Sequence, residues 1–369
     1  MTLPDLLCGA CGARYGVATL AWRCGCGGVL DVARNESTLH LDTAARHRNS
    51  LWRYESVLPV GYDAAVSLGE GCSPLVPAAT APNVRFKLDY LMPTASFKDR
   101  GAVVLATLAR RLGVAAAVLD SSGNAGAAAA AYLARAAVPC RIHVPAATSR
   151  AKLAQLRAHG AQVVAAGTRA DAAAAARSAA TEPGVFYASH VYQPYFLHGV
   201  KTYGYELWEQ CGRRLPDTVV VPVGNGTLLL GCALAFGELL RSGLAERMPT
   251  LVAVQAARCA PIAAAYDAGS AEVAPAGAAE TVAEGIAIAD PPRGAQILAA
   301  IRRSAGAVVT VSDDEIVSAR AELGAQGLFV EPTAAVCWAA VRRRAPVVPA
   351  LRAADVVVPL CGAGLKHPD

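Results

Sequence analysis

One lysine, Lys98, lies in a short segment whose composition suits covalent chemistry: residues 93–101 read Pro-Thr-Ala-Ser-Phe-Lys-Asp-Arg-Gly. A lysine amine becomes a nucleophile when desolvation and nearby positive charge lower its pKa. Ala95 and Phe97 offer apolar neighbours for the lysine stem, and Ser96 is predicted to cap the helix that follows. Most lysines are solvated surface charges. The pattern nevertheless makes Lys98 a candidate nucleophile at a helix start.

Four of the 11 cysteines cluster near the N-terminus, at Cys8, Cys11, Cys24 and Cys26. A Cys-x-x-Cys pair and a Cys-x-Cys pair, each beside glycines that allow tight turns, can present four thiolates to a tetrahedral zinc ion. The second pair is one residue shorter than the usual zinc knuckle. The alternative is a short β-ribbon with small reduced cysteines in its core, since disulfides are not expected in a cytoplasmic protein. Either interpretation makes the ribbon structural rather than catalytic.

Three glycine-containing loops could bind anions or a cofactor. The first, 121–126, reads Ser-Ser-Gly-Asn-Ala-Gly before an alanine-rich helix, and its N–H groups and hydroxyls suit an amino-acid carboxylate. In isolation, Asn124 is equally well explained as a helix cap. The second, 223–228, reads Val-Gly-Asn-Gly-Thr-Leu, and its glycines let backbone amides approach a phosphate. The third, 360–366, reads Leu-Cys-Gly-Ala-Gly-Leu-Lys, and its cysteine also fits a packing role.

The elements around these loops alternate between short apolar runs and longer helical stretches. The pattern predicts strands over 84–90, 115–119, 141–144, 161–165 and 185–189, with helices over 99–112, 125–136, 150–159 and 169–180. A second set has strands over 218–223, 251–255, 308–311 and 356–360, with helices over 228–240, 313–323 and 332–344. Such alternation implies right-handed crossovers and parallel sheets. The predicted fold class is therefore α/β, two-lobed, with two open, mostly parallel sheets and flanking helices, and ligands are expected at the carboxyl ends of the strands.

The composition is that of a folded, enzyme-sized chain of 369 residues, 54% hydrophobic and 17% charged. Such values suit buried parallel sheets wrapped in alanine-rich helices. Apolar runs such as 227–237 are too short to cross a membrane, and 1–11 has no secretion signal, so we expect a cytoplasmic protein without a membrane partner. A net charge of +5 is too small to indicate nucleic-acid binding, and it is compatible with a small anionic substrate.

The segment around Lys98 resembles the cofactor-lysine motif of fold-type II pyridoxal-phosphate (PLP) enzymes. Its Ser-Phe-Lys-Asp-Arg-Gly sequence is most similar to that of threonine synthases. Residues 68–75, Leu-Gly-Glu-Gly-Cys-Ser-Pro-Leu, resemble the Gly-Glu-Gly-x-Thr/Ser-Pro-Leu segment of the same family. The three loops also occur in the order and spacing that the family uses. The resemblance covers nearly the whole chain, from the cysteine ribbon to Lys366.

This resemblance implies a role for each loop. Lys98 would form the Schiff base with PLP, and Asn124 would donate to the phenolic oxygen of the cofactor. The cofactor phosphate would be bound by Gly224, Asn225, Gly226 and Thr227, with Thr227 in the place of a usual glycine. Cys361 would lie beside the pyridine nitrogen, where threonine synthases commonly have threonine and some serine and threonine dehydratases have cysteine.

Six residues are candidates for binding a small phosphorylated amino-acid substrate. They are Ser121, Ser122 and Gly123 for the carboxylate, and Arg150, Lys152 and Lys201 for the phosphate. The region 192–202 resembles a threonine synthase segment, although Gln193 and His198 replace the usual asparagine and glutamate. For Arg150 and Lys152 the alternative is a pair of solvated helix charges.

The resemblance implies a lyase that converts O-phospho-L-homoserine and water into L-threonine and phosphate, with Lys98 as the catalytic residue. The alternative in the same fold is β-elimination or β-replacement on serine, threonine or O-phosphoserine, which Cys361 favours. A non-catalytic binding protein is disfavoured by the intact Lys98, Asn124 and glycine loop. The predicted domains are a cysteine-rich ribbon over 1–40, a large PLP domain over 41–89 and 193–369, and a small mobile domain over 90–192. A homodimer is expected because dimers are usual in similar enzymes.

Overall fold

The computed structural model describes residues 3–33, 38–40, 49–277 and 280–366, and the chain divides into two units. Unit 1 consists of Met1–Cys72 and Lys98–Val200, and unit 2 consists of Ser73–Phe97 and Lys201–Asp369. The sequence-based limits differ from these units in three places, because 49–72 and 193–200 group with unit 1 and 90–97 group with unit 2. The predicted limit after residue 40 borders 41–48, which lie outside the described residues.

The elements follow one another in a largely alternating order. The strands are β1 (Leu6–Cys8), β2 (Arg14–Tyr15), β3 (Leu30–Val32), β4 (Leu75–Ala78), β5 (Ala81–Lys87), β6 (Ala116–Leu119), β7 (Cys140–Pro145), β8 (Gln162–Ala166), β9 (Val185–Tyr187), β10 (Thr218–Pro222), β11 (Thr250–Ala256), β12 (Ala307–Val311) and β13 (Val356–Pro359). The α-helices are α1 (Asp99–Leu112), α2 (Asn124–Arg135), α3 (Arg150–Ala158), α4 (Arg169–Ala179), α5 (Pro194–Val200), α6 (Thr202–Gln210), α7 (Thr227–Arg241), α8 (Pro261–Asp267), α9 (Gly294–Arg303), α10 (Asp313–Gly324) and α11 (Pro332–Arg344).

Unit 1 contains the cysteine ribbon and a parallel sheet. The ribbon is an antiparallel sheet of order β2-β1-β3, in which Leu6 pairs with both Tyr15 and Val32. The second sheet has the order β8-β7-β6-β9, and all of its pairs are parallel. Parallel neighbours need crossover connections, which α2, α3 and α4 supply. The loop after β6 and the segment after β9 therefore leave the same, carboxyl edge of this sheet.

Unit 2 is built on a sheet of six strands with the order β12-β11-β10-β13-β5-β4. Every pair is parallel except β4 with β5. All five residues of β10 and all four of β13 are buried, as expected for central strands covered on both faces. The loops that begin at Val223 and Leu360 leave the carboxyl ends of these two neighbouring strands. The sheet thus brings two of the predicted cofactor loops to one edge of unit 2.

Helix α1 lies against α5 at two glycines that allow very close contact. A Cβ atom at Gly199 would overlap the carbonyl oxygen of Arg100. A Cβ atom at Gly101 would lie 2.5–2.6 Å from the ring of Phe196, well inside normal contact distance. Since α1 begins directly after Lys98, this packing holds the backbone at the candidate nucleophile.

Most predicted elements are confirmed, and helices α1 and α11 have the predicted bounds. Four helices, α5, α6, α8 and α9, were missed. In α5 and α6 nearly every residue is buried, so no amphipathic period marks them. The predicted capping by Ser96 is wrong, because Lys98 occupies the N-cap position and makes no side-chain cap. Within the described ranges, no helix is long and apolar enough to cross a membrane.

We expect Gly101→Ala and Gly199→Ala each to lower the free energy of unfolding by about 1–3 kcal/mol, because the added methyl group forces α1 and α5 apart. Chemical denaturation measures the effect. Gly324→Ala is the matched control, since a Cβ at this helical glycine meets nothing within 4 Å. Equal stability of the three variants would contradict the proposed close packing.

Candidate active site

Lys98 occupies the N-cap position of α1, with φ −61° and ψ −23°. Its carbonyl oxygen accepts hydrogen bonds from the backbone N–H groups of Gly101 (3.1 Å) and Ala102 (2.9 Å). These bonds close the first turn of the helix, so the backbone position of Lys98 follows from the position of α1. The sequence correctly placed this lysine at a helix start.

A half-buried histidine near Lys98 was missed by sequence reasoning. His190 follows β9 in unit 1 and makes an edge-to-face contact with Phe196, with ring centroids 5.9 Å apart. Burial lowers the pKa of His190 to about 3, and the positive charges of Lys98 and Arg169 act in the same direction. The imidazole is therefore neutral at physiological pH. Its position just after a strand of a parallel sheet is the signal that could have identified it.

The segment that leads to Lys98 is held by the loop after β13 in unit 2. The Phe97 N–H donates to the Cys361 carbonyl (2.9 Å), and the Ala363 N–H donates to the Ala95 carbonyl (3.0 Å). Ala95 has a positive φ of 61°, which is uncommon for a residue other than glycine. Ser96 is completely buried, and its hydroxyl has no hydrogen-bond partner among the described residues. Strain and an unsatisfied hydroxyl so close to a candidate nucleophile are typical of a functional segment.

The loop Ser121 to Gly123 lies between β6 and α2 in unit 1. Gly123 is the N-cap residue and Asn124 is the first residue of the helix, so the alternative in which Asn124 caps α2 is wrong. No side-chain cap is made at this helix start within the described ranges. A Cβ at Gly126 would overlap the Ser121 carbonyl oxygen, which shows how tightly the loop folds over the helix. Backbone N–H groups at the start of α2 lack acceptors inside the helix and can donate to a carboxylate.

The second loop forms a cradle at the start of α7 in unit 2. Gly226 is the N-cap, with a positive φ of 71°, and a Cβ there would overlap the side chain of Ile297. A Cβ at Gly224 would lie 2.8 Å from the Cα of Ile286. Thr227 is 3% exposed and begins the helix. Glycine is therefore required at both positions, and the helix start presents backbone N–H groups to an anion.

A segment that sequence reasoning missed supports this cradle. Residues 284–288 lie against Gly224, and the Gly285 N–H donates to Thr333 Oγ1 at 3.2 Å. A Cβ at Gly285 would lie 2.8 Å from the same hydroxyl oxygen. Gly285 is a lone glycine in a region without strong periodicity, so no local pattern distinguishes it from an ordinary turn.

Cys361 is 1% exposed and lies two residues beyond the end of the central strand β13. The following residue, Gly362, lies against the buried carboxylate of Glu331, where a Cβ would cause an overlap. The Glu331 N–H donates to the Gly362 carbonyl at 3.0 Å. Burial raises the pKa of Cys337, and the neighbouring Cys361 raises it further. The Cys337 thiol therefore stays neutral beside Cys361.

The three cationic candidates for substrate binding have different surroundings. Arg150 is exposed and Lys152 is half-buried at the start of α3 in unit 1. Lys201 in unit 2 is 2% exposed, and its ammonium donates to both carboxylate oxygens of Glu238 at 2.9 Å. The charge of the Lys201 ammonium is therefore paired with Glu238, which gives no support to a role of Lys201 in substrate binding. The predicted cofactor residues are likewise divided, with Lys98 and Asn124 in unit 1, and Gly224 to Thr227 and Cys361 in unit 2.

Residues 66–362 match the family described as pyridoxal-phosphate dependent enzyme. The chain belongs to this family. It is 33% identical over 375 aligned residues to threonine synthase of Methanosarcina acetivorans, covering 98% of this chain and 92% of that protein. Among solved structures, a threonine deaminase from T.th. has a TM-score of 0.64 and 27% identity over 78% of this chain and 88% of its own. Maize serine racemase has a TM-score of 0.71 at 19% identity, covering 88% and 94%, and shares the fold.

These relationships make the chain a threonine-synthase-like, PLP-dependent lyase with a fold-type II architecture. The glycine cradle at the start of α7 fits the phosphate of this cofactor, because positions 224 and 226 have no room for a Cβ and the helix start lies directly beyond them. Lys98 is the candidate for the amine that a PLP enzyme needs for covalent attachment.

The four cysteines of the ribbon also come together in unit 1. Their sulfur atoms all lie within 4.8 Å of one another, with 3.6 Å between Cys8 and Cys26 and 3.5 Å between Cys11 and Cys24. A tetrahedral zinc ion with Zn–S bonds of about 2.3 Å separates its ligand sulfurs by about 3.8 Å. The donor set therefore fits zinc, although the Cys-x-Cys pair is short. Gly28 is needed here, because a Cβ would lie 2.8 Å from the Cys8 sulfur.

We expect about one zinc ion per chain, bound by the four ribbon cysteines. Cys8→Ser and Cys24→Ser should each remove the metal and lower the thermal stability, while the absorbance of bound PLP stays unchanged. Metal analysis of the purified protein measures the zinc content. Cys140→Ser is the control, because Cys140 is half-buried and lies outside the cluster. A wild-type protein purified without chelators that contains no zinc would reject the site.

Desolvation of neutral His190 should make the stability of the protein depend on pH. Its ordinary pKa is 6.5 and its folded-state pKa is about 3, so between these values the unfolded chain binds a proton that the folded chain does not. Stability should therefore fall as the pH drops through this window. In His190→Asn the fall should be shallower, as measured by denaturation at several pH values. His40→Asn, at an exposed position, is the matched control, and identical profiles for both variants would contradict the assignment.

Proposed function

We propose that this lyase converts O-phospho-L-homoserine and water into L-threonine and phosphate. The observation that carries the proposal is the relationship to a threonine synthase over 98% of this chain, which includes the ribbon, Lys98 and all three loops. The substrate is then a small phosphorylated amino acid with one carboxylate and one phosphate. Both anionic groups need cationic side chains or hydrogen-bond donors around them.

PLP, when bound, stabilises the negative charge that remains after a proton leaves the substrate Cα. We assign Lys98 to two tasks: it holds the cofactor covalently, and its released Nζ takes the proton from Cα. The same amine then takes a proton from Cβ, and the Cγ–O bond breaks so that phosphate leaves with the bonding electrons. Cγ gains a proton and becomes the methyl group of threonine. A water oxygen bonds to Cβ as the hydroxyl group, and Cα regains its proton.

The anionic groups are assigned to helix starts and to cations. Ser121, Ser122 and Gly123 at the start of α2 would bind the substrate carboxylate, with Asn124 donating to the cofactor. The cofactor phosphate would be held by Gly224, Asn225, Gly226 and Thr227. Arg150 and Lys152 at the start of α3 would bind the substrate phosphate. Arg150 is exposed and Lys152 is half-buried, whereas the ammonium of Lys201 is paired with Glu238.

The buried Cys361 supports a second candidate function, β-elimination or β-replacement on serine, threonine or O-phosphoserine. A thiol is a weak hydrogen-bonding group, so a pyridine nitrogen beside it would stay unprotonated. Some dehydratases of this fold carry cysteine in the corresponding place, and the structure of a threonine deaminase is 27% identical to this chain. The predicted homodimer and the cytoplasmic location stay predictions.

Phosphate release from O-phospho-L-homoserine and from O-phospho-L-serine, measured side by side with identification of the amino-acid product, distinguishes the two functions. We expect threonine from the first substrate alone and no turnover by Lys98→Ala. Arg150→Ala and Lys152→Ala should raise KM for O-phospho-L-homoserine, whereas Arg157→Ala, exposed on the same helix, should not. Activity with O-phospho-L-serine alone would reject the proposed substrate, and turnover by Lys98→Ala would reject the catalytic role.

A further inference from the structure

The cysteine ribbon contacts the parallel sheet of unit 1 through an aromatic cluster. Trp22, two residues before Cys24, makes edge-to-face contacts with Tyr187 (centroids 5.0 Å apart) and Tyr192 (5.1 Å). The guanidinium of Arg23 lies 5.9 Å from the centroid of the Tyr192 ring. Edge-to-face pairs at these distances are favourable and geometrically specific. The ribbon is therefore held against one particular tyrosine of the sheet, the last residue of β9.

Tyr187 connects this cluster to the loop after β6. Its ring is 1% exposed, and its hydroxyl donates to Asp120 Oδ1 at 2.6 Å. Burial raises the pKa of Asp120, while the hydrogen bond from Tyr187 and the charges of Arg177 and Arg169 on α4 oppose that rise. A partly buried carboxylate is stabilised by such partners. The Tyr187 hydroxyl thus fixes the direction in which the Asp120 side chain points.

Asp120 is the residue directly before Ser121, where the predicted carboxylate-binding loop begins. The other side of this loop is held by the close contact between the Ser121 carbonyl and Gly126. If Asp120 moves, the backbone between Asp120 and the contact of Ser121 with Gly126 must change its conformation. The path from Trp22 through Tyr187 and Asp120 to the loop consists entirely of direct contacts within unit 1.

We propose that Trp22, Tyr187 and Asp120 are positioning residues, through which the cysteine ribbon holds the loop Ser121 to Asn124 in the geometry that binds the substrate carboxylate. The identity of the substrate in this inference rests on the proposed function. The contacts that connect the ribbon to the loop do not depend on it. It gives the ribbon a role in the reaction that does not depend on contact between its cysteines and the substrate.

The chain offers a matched control for the hydroxyl of Tyr187. Tyr195 on α5 is also buried, and its hydroxyl also serves the N-terminal region, since it donates to the Pro4 carbonyl at 3.1 Å. That bond leads to the start of the chain and not to the substrate loop. Tyr187→Phe and Tyr195→Phe therefore each remove one hydroxyl group and its hydrogen bond from a buried tyrosine. Only Tyr187→Phe removes the bond to Asp120.

The test compares the PLP-bound enzyme as wild type, Tyr187→Phe, Trp22→Leu and Tyr195→Phe. We expect Tyr187→Phe and Trp22→Leu to raise KM for O-phospho-L-homoserine by about tenfold or more, with a smaller change in kcat and an unchanged absorbance of bound PLP. Trp22→Phe should raise KM less than Trp22→Leu does, because an aromatic ring can still contact Tyr187. Tyr195→Phe should keep the wild-type KM.

Hydrogen exchange of the peptide that covers residues 120–126 gives a readout that needs no substrate. Exchange should be faster in Tyr187→Phe and Trp22→Leu than in Tyr195→Phe. Unchanged exchange in both variants, or faster exchange with a wild-type KM, would overturn the proposal. If the wild type releases no phosphate from O-phospho-L-homoserine, the proposed function fails separately, and the exchange data alone decide whether the ribbon positions the loop.

Discussion

The backbone N–H groups in the first turn of an α-helix have no acceptor inside the helix, so every helix start needs a capping side chain, a water molecule or a ligand. In this chain α3, α4 and α10 begin at Ser149, Thr168 and Ser312, whose side chains accept a first-turn N–H. Helices α2 and α7 begin at Gly123 and Gly226, and neither start carries a side-chain cap in the described part of the chain. The proposed function assigns these two starts to a carboxylate and a phosphate, the anionic groups of the substrate and of the cofactor.

Close packing places these helix starts. Glycine at 126, 224 and 226 removes the Cβ that would collide with a carbonyl or an isoleucine, so the backbone of each loop can lie directly against its neighbour. The same device holds α1 against α5 at Gly101 and Gly199. Protein interiors tolerate few voids and little overlap. The position of Lys98 therefore depends on side chains that were never candidates for chemistry.

Buried charges in unit 2 show why residue type alone is a poor guide to function. The Lys201 ammonium is paired with Glu238, and that of Lys87 is paired with Glu206 at 2.7 Å. A buried charge without a partner costs several kcal/mol, so a matched pair on neighbouring elements is the usual solution. Lys201 lies in a segment that resembles a threonine synthase motif, and this made it a substrate candidate before its partner was known.

The sequence alone determined the family, the α/β order, the bounds of α1 and α11, and the three loops, because each of these depends on residues close together in the chain. Tertiary structure decided that a half-buried His190 lies near Lys98, that Lys201 pairs with Glu238, and that Trp22 reaches Asp120 through Tyr187. These relationships join residues between 37 and 165 positions apart, the latter being 187 minus 22. A periodic pattern reports which face of an element is buried, but the partner on the other side is chosen only when the elements pack together.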